Sequence, residues 1–140
     1  MRLTSATVAA VCLAALAGCG GGHSSTSRPP TPTERAALQQ AAYDFVAAKT
    51  DARNPQIIRM RVASVPLGPP GASPYAAFAL VQLSDPDAGY AVALLGYRKR
   101  QLSGWRVLDI GSMQVGCSLG RSVFGSHGPA VRHALGLTCA

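Results

Sequence analysis

The sequence lacks an apolar run long enough to cross a bilayer. Its N-terminal apolar stretch, residues 6–17, holds 12 residues, whereas a spanning helix needs about 20. Acidic residues are also scarce, since six Asp and Glu stand against 13 Lys and Arg and leave a net charge of +7. The four cysteines form no C-x-x-C pair, which argues against a metal site. No cofactor is expected. The positive charge instead suits contact with anionic lipid headgroups, acidic wall polymers or nucleic acid.

The N-terminus has the organisation of a targeting signal. Met1 and Arg2 supply a positive charge, the apolar stretch follows, and small residues precede a cysteine in Leu16-Ala17-Gly18-Cys19. This order is typical of a secretory signal peptide, and an ordinary signal peptide that ends in cysteine is one interpretation. Leu-Ala-Gly-Cys also resembles the lipobox of bacterial lipoproteins, in which the cysteine thiol receives a diacylglyceryl group and cleavage follows just before it.

That resemblance implies that residues 1–18 are a cleaved signal peptide and that Cys19 carries the lipid. Two acyl chains are enough for stable anchoring, so the mature protein is expected on the extracytoplasmic side of the bacterial cell membrane. An exported, tethered protein seldom meets nucleic acid, which excludes that partner. Once Cys12 is removed with the signal peptide and Cys19 is lipidated, Cys117 and Cys139 remain and are expected to form a disulfide in an oxidising compartment. A metal site is the alternative for this pair.

Beyond Cys19 the composition predicts a tether and then one small domain. Residues 19–33 are rich in glycine, serine and proline, and they are expected to be disordered. Residues 34–140 have the length of a single domain. Thr31-Pro32-Thr33-Glu34 predicts a helix start with a capping box, and the helix is expected to end near Thr50. Its predicted apolar stripe consists of Leu38, Ala41, Ala42, Phe45 and Ala48.

Four strand-like runs follow the helix, at residues 56–65, 75–83, 90–100 and 105–110. The short turns between them predict an antiparallel meander. In the first run Ile58, Met60 and Val62 alternate with Arg59 and Arg61, which predicts one buried and one exposed face. A short helix is expected at residues 130–135.

These elements predict an α+β fold with two layers, in which the N-terminal helix packs on a four-stranded antiparallel meander. The short C-terminal helix is expected to be tied back by the disulfide. This order of elements resembles the cystatin-like superfold, in which a curved sheet wraps a helix. The C-terminal pattern of Trp105, Val107, Gly111, Cys117, Leu135, Leu137 and Cys139 also resembles a group of secreted actinobacterial proteins, which implies a location but no chemistry.

The candidates for catalysis are weak. Gly116-Cys117-Ser118-Leu119-Gly120 matches the G-x-S-x-G motif of α/β-hydrolases, but no acidic residue follows Asp109 to complete a triad. His127 and His133 are six residues apart, which is not the spacing that places two metal ligands on one helix face. Asp109 interrupts an apolar strand, and we expect it to pair with Arg59, Arg61 or Arg106; a role in a pocket is the alternative.

The basic residues allow two interpretations. Arg98, Lys99 and Arg100 end the third predicted strand, where a solvated edge is the simpler interpretation. The alternative is a basic patch that faces an acidic polymer, a lipid headgroup or a partner, and its members would be Arg59, Arg61, Arg98, Lys99, Arg100 and Arg106.

The sequence therefore predicts a lipid-anchored cell-envelope protein with a non-enzymatic binding domain and no catalytic residue. Its partner would be another envelope protein, or a small apolar ligand in the hollow between helix and sheet. Two alternatives remain: an envelope hydrolase that uses Ser118, and a structural protein that binds anionic lipid or wall polymer through the basic patch.

Overall fold

The computed structural model describes residues 26–65, 73–98 and 104–139. The predicted signal peptide, Cys19 and the first part of the predicted tether lie outside the described residues, as do Lys99 and Arg100. The described elements are β1 (Ser27–Arg28), α1 (Pro32–Lys49), β2 (Gln56–Ser64), β3 (Ala77–Asp85), β4 (Gly89–Tyr97), β5 (Trp105–Gly111), α2 (Arg121–Phe124), a 3₁₀ turn (Gly125–His127) and α3 (Gly128–Leu135). The five strands form one antiparallel sheet in the order β1-β2-β3-β4-β5.

The predicted helix start is confirmed in detail. The backbone N–H of Glu34 donates to Thr31 Oγ1 at 3.2 Å, and the backbone N–H of Thr31 donates to Glu34 Oε2 at 2.8 Å, which completes a capping box. Pro32 begins the helix and Thr50 caps its end. The buried side chains are Leu38, Ala42 and Val46, so the buried row follows a four-residue spacing. Ala48, predicted as part of the apolar stripe, is exposed.

A strand that the sequence did not predict precedes this helix. Ser27 and Arg28 pair with Ala63 and Val62, so part of the predicted tether is a sheet strand. The prediction of four strands, with the helix as the first element, is therefore wrong by one strand. The Arg28 guanidinium donates to both oxygens of Glu34, at 2.6 and 2.7 Å, and this ion pair joins β1 to α1. It lowers the pKa of the Glu34 carboxyl to about 2.

The sheet has helices on both faces, so the predicted two-layer arrangement is wrong. One core lies between α1 and the sheet and includes Leu38, Val62, Val81 and Leu95. The second core lies on the opposite face, where α2 and α3 bring Phe124, Val131 and Leu135 against β3 and β4. The cause is the composition of β3 and β4, because strands that are apolar on both sides must be covered on both sides.

The first predicted strand does not alternate as expected. The pairing of β2 with β3 shifts between Ile57 and Arg59, which is a β-bulge. An extra residue in one strand moves the side chains before it to the other face. As a result Ile57 packs against the core, whereas Ile58, predicted to share the buried face with Met60 and Val62, is 59% exposed.

The predicted disulfide is confirmed, since Cys117 and Cys139 are bonded. It joins the turn after β5 to the segment that follows α3. However, α3 also packs through Val131 and Leu135, which are 0% and 1% exposed. Apolar packing and the disulfide therefore hold the C-terminal layer together.

We expect the double variant Cys117→Ala, Cys139→Ala to lose about 3 kcal/mol of unfolding free energy, because the bond closes a 22-residue separation. Urea unfolding of the variant and the wild type would measure this loss. We also expect the variant to keep α3 on the sheet, with Phe124 protected from solvent. Detachment of α3 in the folded variant would contradict the role given to apolar packing.

Asp85 fixes the turn between β3 and β4. Its Oδ1 accepts the backbone N–H groups of Asp87 and Ala88 at 2.8 and 2.9 Å, and its Oδ2 accepts that of Asn54 at 2.8 Å. These hydrogen bonds, that of Ala88 foremost, lower the pKa of the carboxyl below its ordinary value. The side chain thus connects the turn to the segment between α1 and β2.

We expect Asp85→Asn to lower the Tm by several degrees at neutral pH, because an amide NH₂ would face backbone donors. Since the pKa is lowered on folding, the ionised carboxyl stabilises the fold above the unfolded pKa of about 4, and this stabilisation is lost as pH falls through the folded pKa. The difference in Tm between variant and wild type should therefore shrink in acid. Asp87→Asn, at the exposed neighbouring carboxyl, is the control, and a pH-independent difference would contradict the argument.

Candidate functional site

An open groove lies between α1 and β5, the α1–β5 groove, with a volume of about 680 Å³. α1 forms one wall and β5 forms the other, so the groove exists only where the two elements meet. Its lining residues are Ala37, Gln40, Ala41, Asp44, Phe45, Trp105, Arg106 and Val107.

Small helix residues and an aromatic strand residue create this space. Ala37 and Ala41 are one helical turn apart, so the face of α1 above β5 carries only methyl groups there. Trp105 and Val107 are two residues apart on β5, and both belong to the core on the α1 face. Trp105 is 5% exposed and packs on Tyr97, with ring centroids 5.2 Å apart, so the apolar wall of the groove is firmly held.

The groove runs along an edge of the sheet. Within the described chain β5 pairs with β4 alone, so the outer N–H and C=O groups of β5 have no strand partner. The polar rim consists of Gln40 and Asp44, which hydrogen-bond to each other at 2.8 Å, and of the exposed Arg106. The site therefore combines apolar contact area, a carboxylate, a guanidinium and an unpaired strand edge.

A second cavity, the arginine pocket, lies on the opposite face and has a volume of about 180 Å³. Arg59 and Arg61 of β2 line it from one side and the end of α3 from the other. The remaining lining residues are Leu80, Gln82, Met113, Leu135 and Gly136.

The described members of the basic patch, which the sequence allowed as an alternative, do not share one surface. The structure brings Arg59 and Arg61 together, but Arg106 lies on β5, with β3 and β4 between it and β2. Arg98 is half-buried and stacks over the ring of Tyr75, 5.0 Å from its centroid. The described arginines therefore occupy three separate environments: Arg59 and Arg61 share the arginine pocket, Arg98 stacks on Tyr75, and Arg106 lies at the α1–β5 groove.

The prediction that Asp109 pairs with an arginine is wrong. Its carboxylate accepts the backbone N–H of Ile110 at 2.9 Å and that of Gly116 at 2.8 Å. The single ion pair among the described residues joins Arg28 to Glu34. Asp109 instead fixes the turn that carries Cys117, because Gly116 lies one residue before the disulfide.

The residues considered for catalysis do not converge. Ser118 is exposed in a turn, and none of the side-chain hydrogen bonds of the described residues joins it to a histidine. His127 ends the 3₁₀ turn and His133 is exposed on α3. In the described part of the chain no three His, Cys, Asp or Glu side chains lie close enough to hold a metal ion.

Comparison of the chain with protein-family models, with curated proteins and with solved structures finds no significant match in any of the three. Among the described helices none is long and apolar enough to cross a membrane. The groove and the pocket must therefore be interpreted from their own geometry.

The sequence indicated the location of the groove but not its residues. A hollow between helix and sheet was expected. The sequence did not distinguish Ala37, Ala41 and Phe45 from other helix residues, because their role depends on the position of β5. The sequence signal for the groove is the pair Ala37 and Ala41, which are four residues apart on a helix that also carries large apolar side chains. Nothing in the sequence placed Gly136 beside Arg61, because that contact depends on how α3 ends.

Proposed function

We propose that this protein is a lipid-anchored cell-envelope protein whose domain binds an extended segment of a partner protein in the α1–β5 groove. The observation that carries the proposal is an apolar groove that lies directly beside an unpaired strand edge. Anchoring rests on the lipobox-like Leu16-Ala17-Gly18-Cys19. A diacylglyceryl group on Cys19 would hold the domain at the membrane.

An extended polypeptide suits this groove for two reasons. First, the free N–H and C=O groups of β5 offer a partner strand a ladder of backbone hydrogen bonds, which gives affinity without demanding a particular sequence. Second, the side chains of such a strand alternate, so every second one would enter the apolar groove beneath α1. A purely apolar small ligand would leave the strand edge unused.

The rim of the groove supplies specificity. Trp105 and Arg106 are adjacent, and tryptophan and arginine are the residue types that most often dominate binding energy at protein interfaces. Arg106 favours an acidic side chain on the partner, whereas Asp44 on the opposite wall disfavours one near α1. The bound segment is thus expected to be apolar at alternate positions and acidic beside Arg106.

We expect Ala41→Phe to weaken peptide binding by at least about tenfold, because a phenyl ring would fill the groove. The measurement starts from peptides selected from a random library on the wild-type full chain, whose affinities are then determined by calorimetry. Hydrogen exchange should show that a bound peptide protects outer amides of β5. Ala47→Phe is the matched control, since Ala47 is exposed on α1 outside the groove.

Three results would contradict the groove proposal. The first is a selection that yields no peptide sensitive to Ala41→Phe. The second is protection confined to a region away from β5. The third is a small apolar molecule, found by native mass spectrometry in protein from its own envelope, that Ala41→Phe expels; it would replace the polypeptide as the occupant.

For the anchor, we expect Cys19→Ala to abolish incorporation of a labelled fatty acid and to release or mislocalise the protein, because the acceptor thiol is lost. Cys12→Ala is the internal control and should leave labelling intact, since Cys12 lies within the segment to be removed. Labelling followed by intact mass measurement gives the answer. Unchanged labelling or unchanged membrane retention of Cys19→Ala would refute lipid attachment at this residue.

A further inference from the structure

Arg59 and Arg61 are successive residues on the same face of β2. Their partners across the strand pair are Gln82 and Leu80 of β3, and all four residues line the arginine pocket. Same-face neighbours on a strand are about 6–7 Å apart, which allows two guanidinium groups to reach one small ligand. The sheet therefore holds two cations side by side at the mouth of a cavity.

No protein group neutralises this pair within the described residues. The lining of the pocket contains no Asp or Glu, and neither arginine has a hydrogen-bond acceptor among the described side chains and backbone groups. Gln82 contributes an amide, whose Nε2 lies 3.8 Å from Met113 Sδ. Leu80, Leu135 and Met113 form an apolar wall beside the charges.

The end of α3 accounts for only one of the two cations. Gly136 caps the helix with a left-handed backbone, φ +74°, and a Cβ atom built on it would lie 3.8 Å from Arg61 Nη1. The last carbonyl groups of a helix favour a nearby positive charge, which gives Arg61 a structural role. Arg59 beside it is exposed and has no such partner. A bound anion would offset the repulsion between these two like charges.

We propose that the arginine pocket binds a phosphate group, with both guanidinium groups donating hydrogen bonds to its oxygens. Planar guanidinium groups match the oxygens of phosphate in a bidentate way, and two of them can share one phosphate. The apolar wall would contact the organic substituent of a phosphoester. The phosphate could belong to an anionic lipid headgroup or to a free phosphorylated molecule. This site lies on the opposite face from the groove, so the proposal is independent of partner binding there.

The test is a titration of the full chain in non-ionic detergent with inorganic phosphate at constant ionic strength. The signals of the arginine Nε–H groups are followed by NMR, and the variants Arg59→Gln and Arg61→Gln assign them. We expect phosphate to shift both signals, and each variant to weaken phosphate binding by about ten- to a hundredfold, as for loss of a charged hydrogen bond. Arg35→Gln, at an exposed arginine on α1, is the matched control and should change binding less than about twofold.

Two further titrations distinguish the sources of the phosphate. Micelles that contain a small fraction of phosphatidylglycerol should shift the same signals if the ligand is a lipid headgroup, and micelles with phosphatidylcholine should not. If inorganic phosphate alone shifts them, the ligand is a free phosphorylated molecule. The proposal is overturned if phosphate shifts neither signal, or if Arg35→Gln weakens binding as much as the pocket variants. It is also overturned if Arg61→Gln lowers only the stability and leaves the phosphate affinity unchanged, since Arg61 would then serve α3 alone.

Discussion

The fold depends on the apolar character of both faces of β3 and β4. Phe78, Leu80 and Leu94 point to one side of the sheet, and Val81 and Leu95 point to the other, all of them buried. Leaving either set exposed would forfeit the hydrophobic contribution of half of the core. The chain meets this constraint with the segments before and after the meander, so that α1 covers one face and α2 with α3 covers the other.

Each covering layer is fastened where it begins or ends. On the N-terminal side Glu34 closes the capping box of α1 and also binds Arg28 of β1, so a single carboxylate connects helix and sheet edge. An exposed ion pair of this kind contributes little alone, but this one is coupled to a helix cap and to strand pairing. On the C-terminal side the disulfide performs the corresponding function, supported by Asp109, which holds the turn before Cys117.

The sequence was informative wherever local chemistry decides structure. The start of α1 and the four strands after it, with the short turns between them, could be predicted because capping, alternation and turn residues act over short distances. The Cys117–Cys139 pair was predicted from an expected oxidising compartment, and the structure contains the bond. The two-residue strand β1 could not, since its partner lies in β2, more than thirty residues further along the chain. The exposure of Ile58 was missed for a similar reason, because a bulge is set by pairing with β3.

The candidate sites were harder to predict for the same physical reason. The alternative interpretation of the sequence placed the arginines on one surface, yet the sheet separates Arg106 from Arg59 and Arg61 by two strands, a distance of about 14 Å at the usual strand spacing. Arg59 and Arg61 line a cavity only because α3 packs beside them. The alanines of α1 line a groove only because α1 lies over β5.

Both cavities therefore follow from where the covering helices lie on the sheet. α1 lies mainly over β5, where its alanines leave space, and α3 lies over β2 and β3, where it stops at Gly136. The two cavities consequently lie on opposite faces of the sheet and toward opposite edges of it. If the arginine pocket contacts a phosphate at the membrane surface, the β5 edge points away from that contact and stays accessible to a partner. The architecture that buries β3 and β4 would then also keep the two ligands from competing for space.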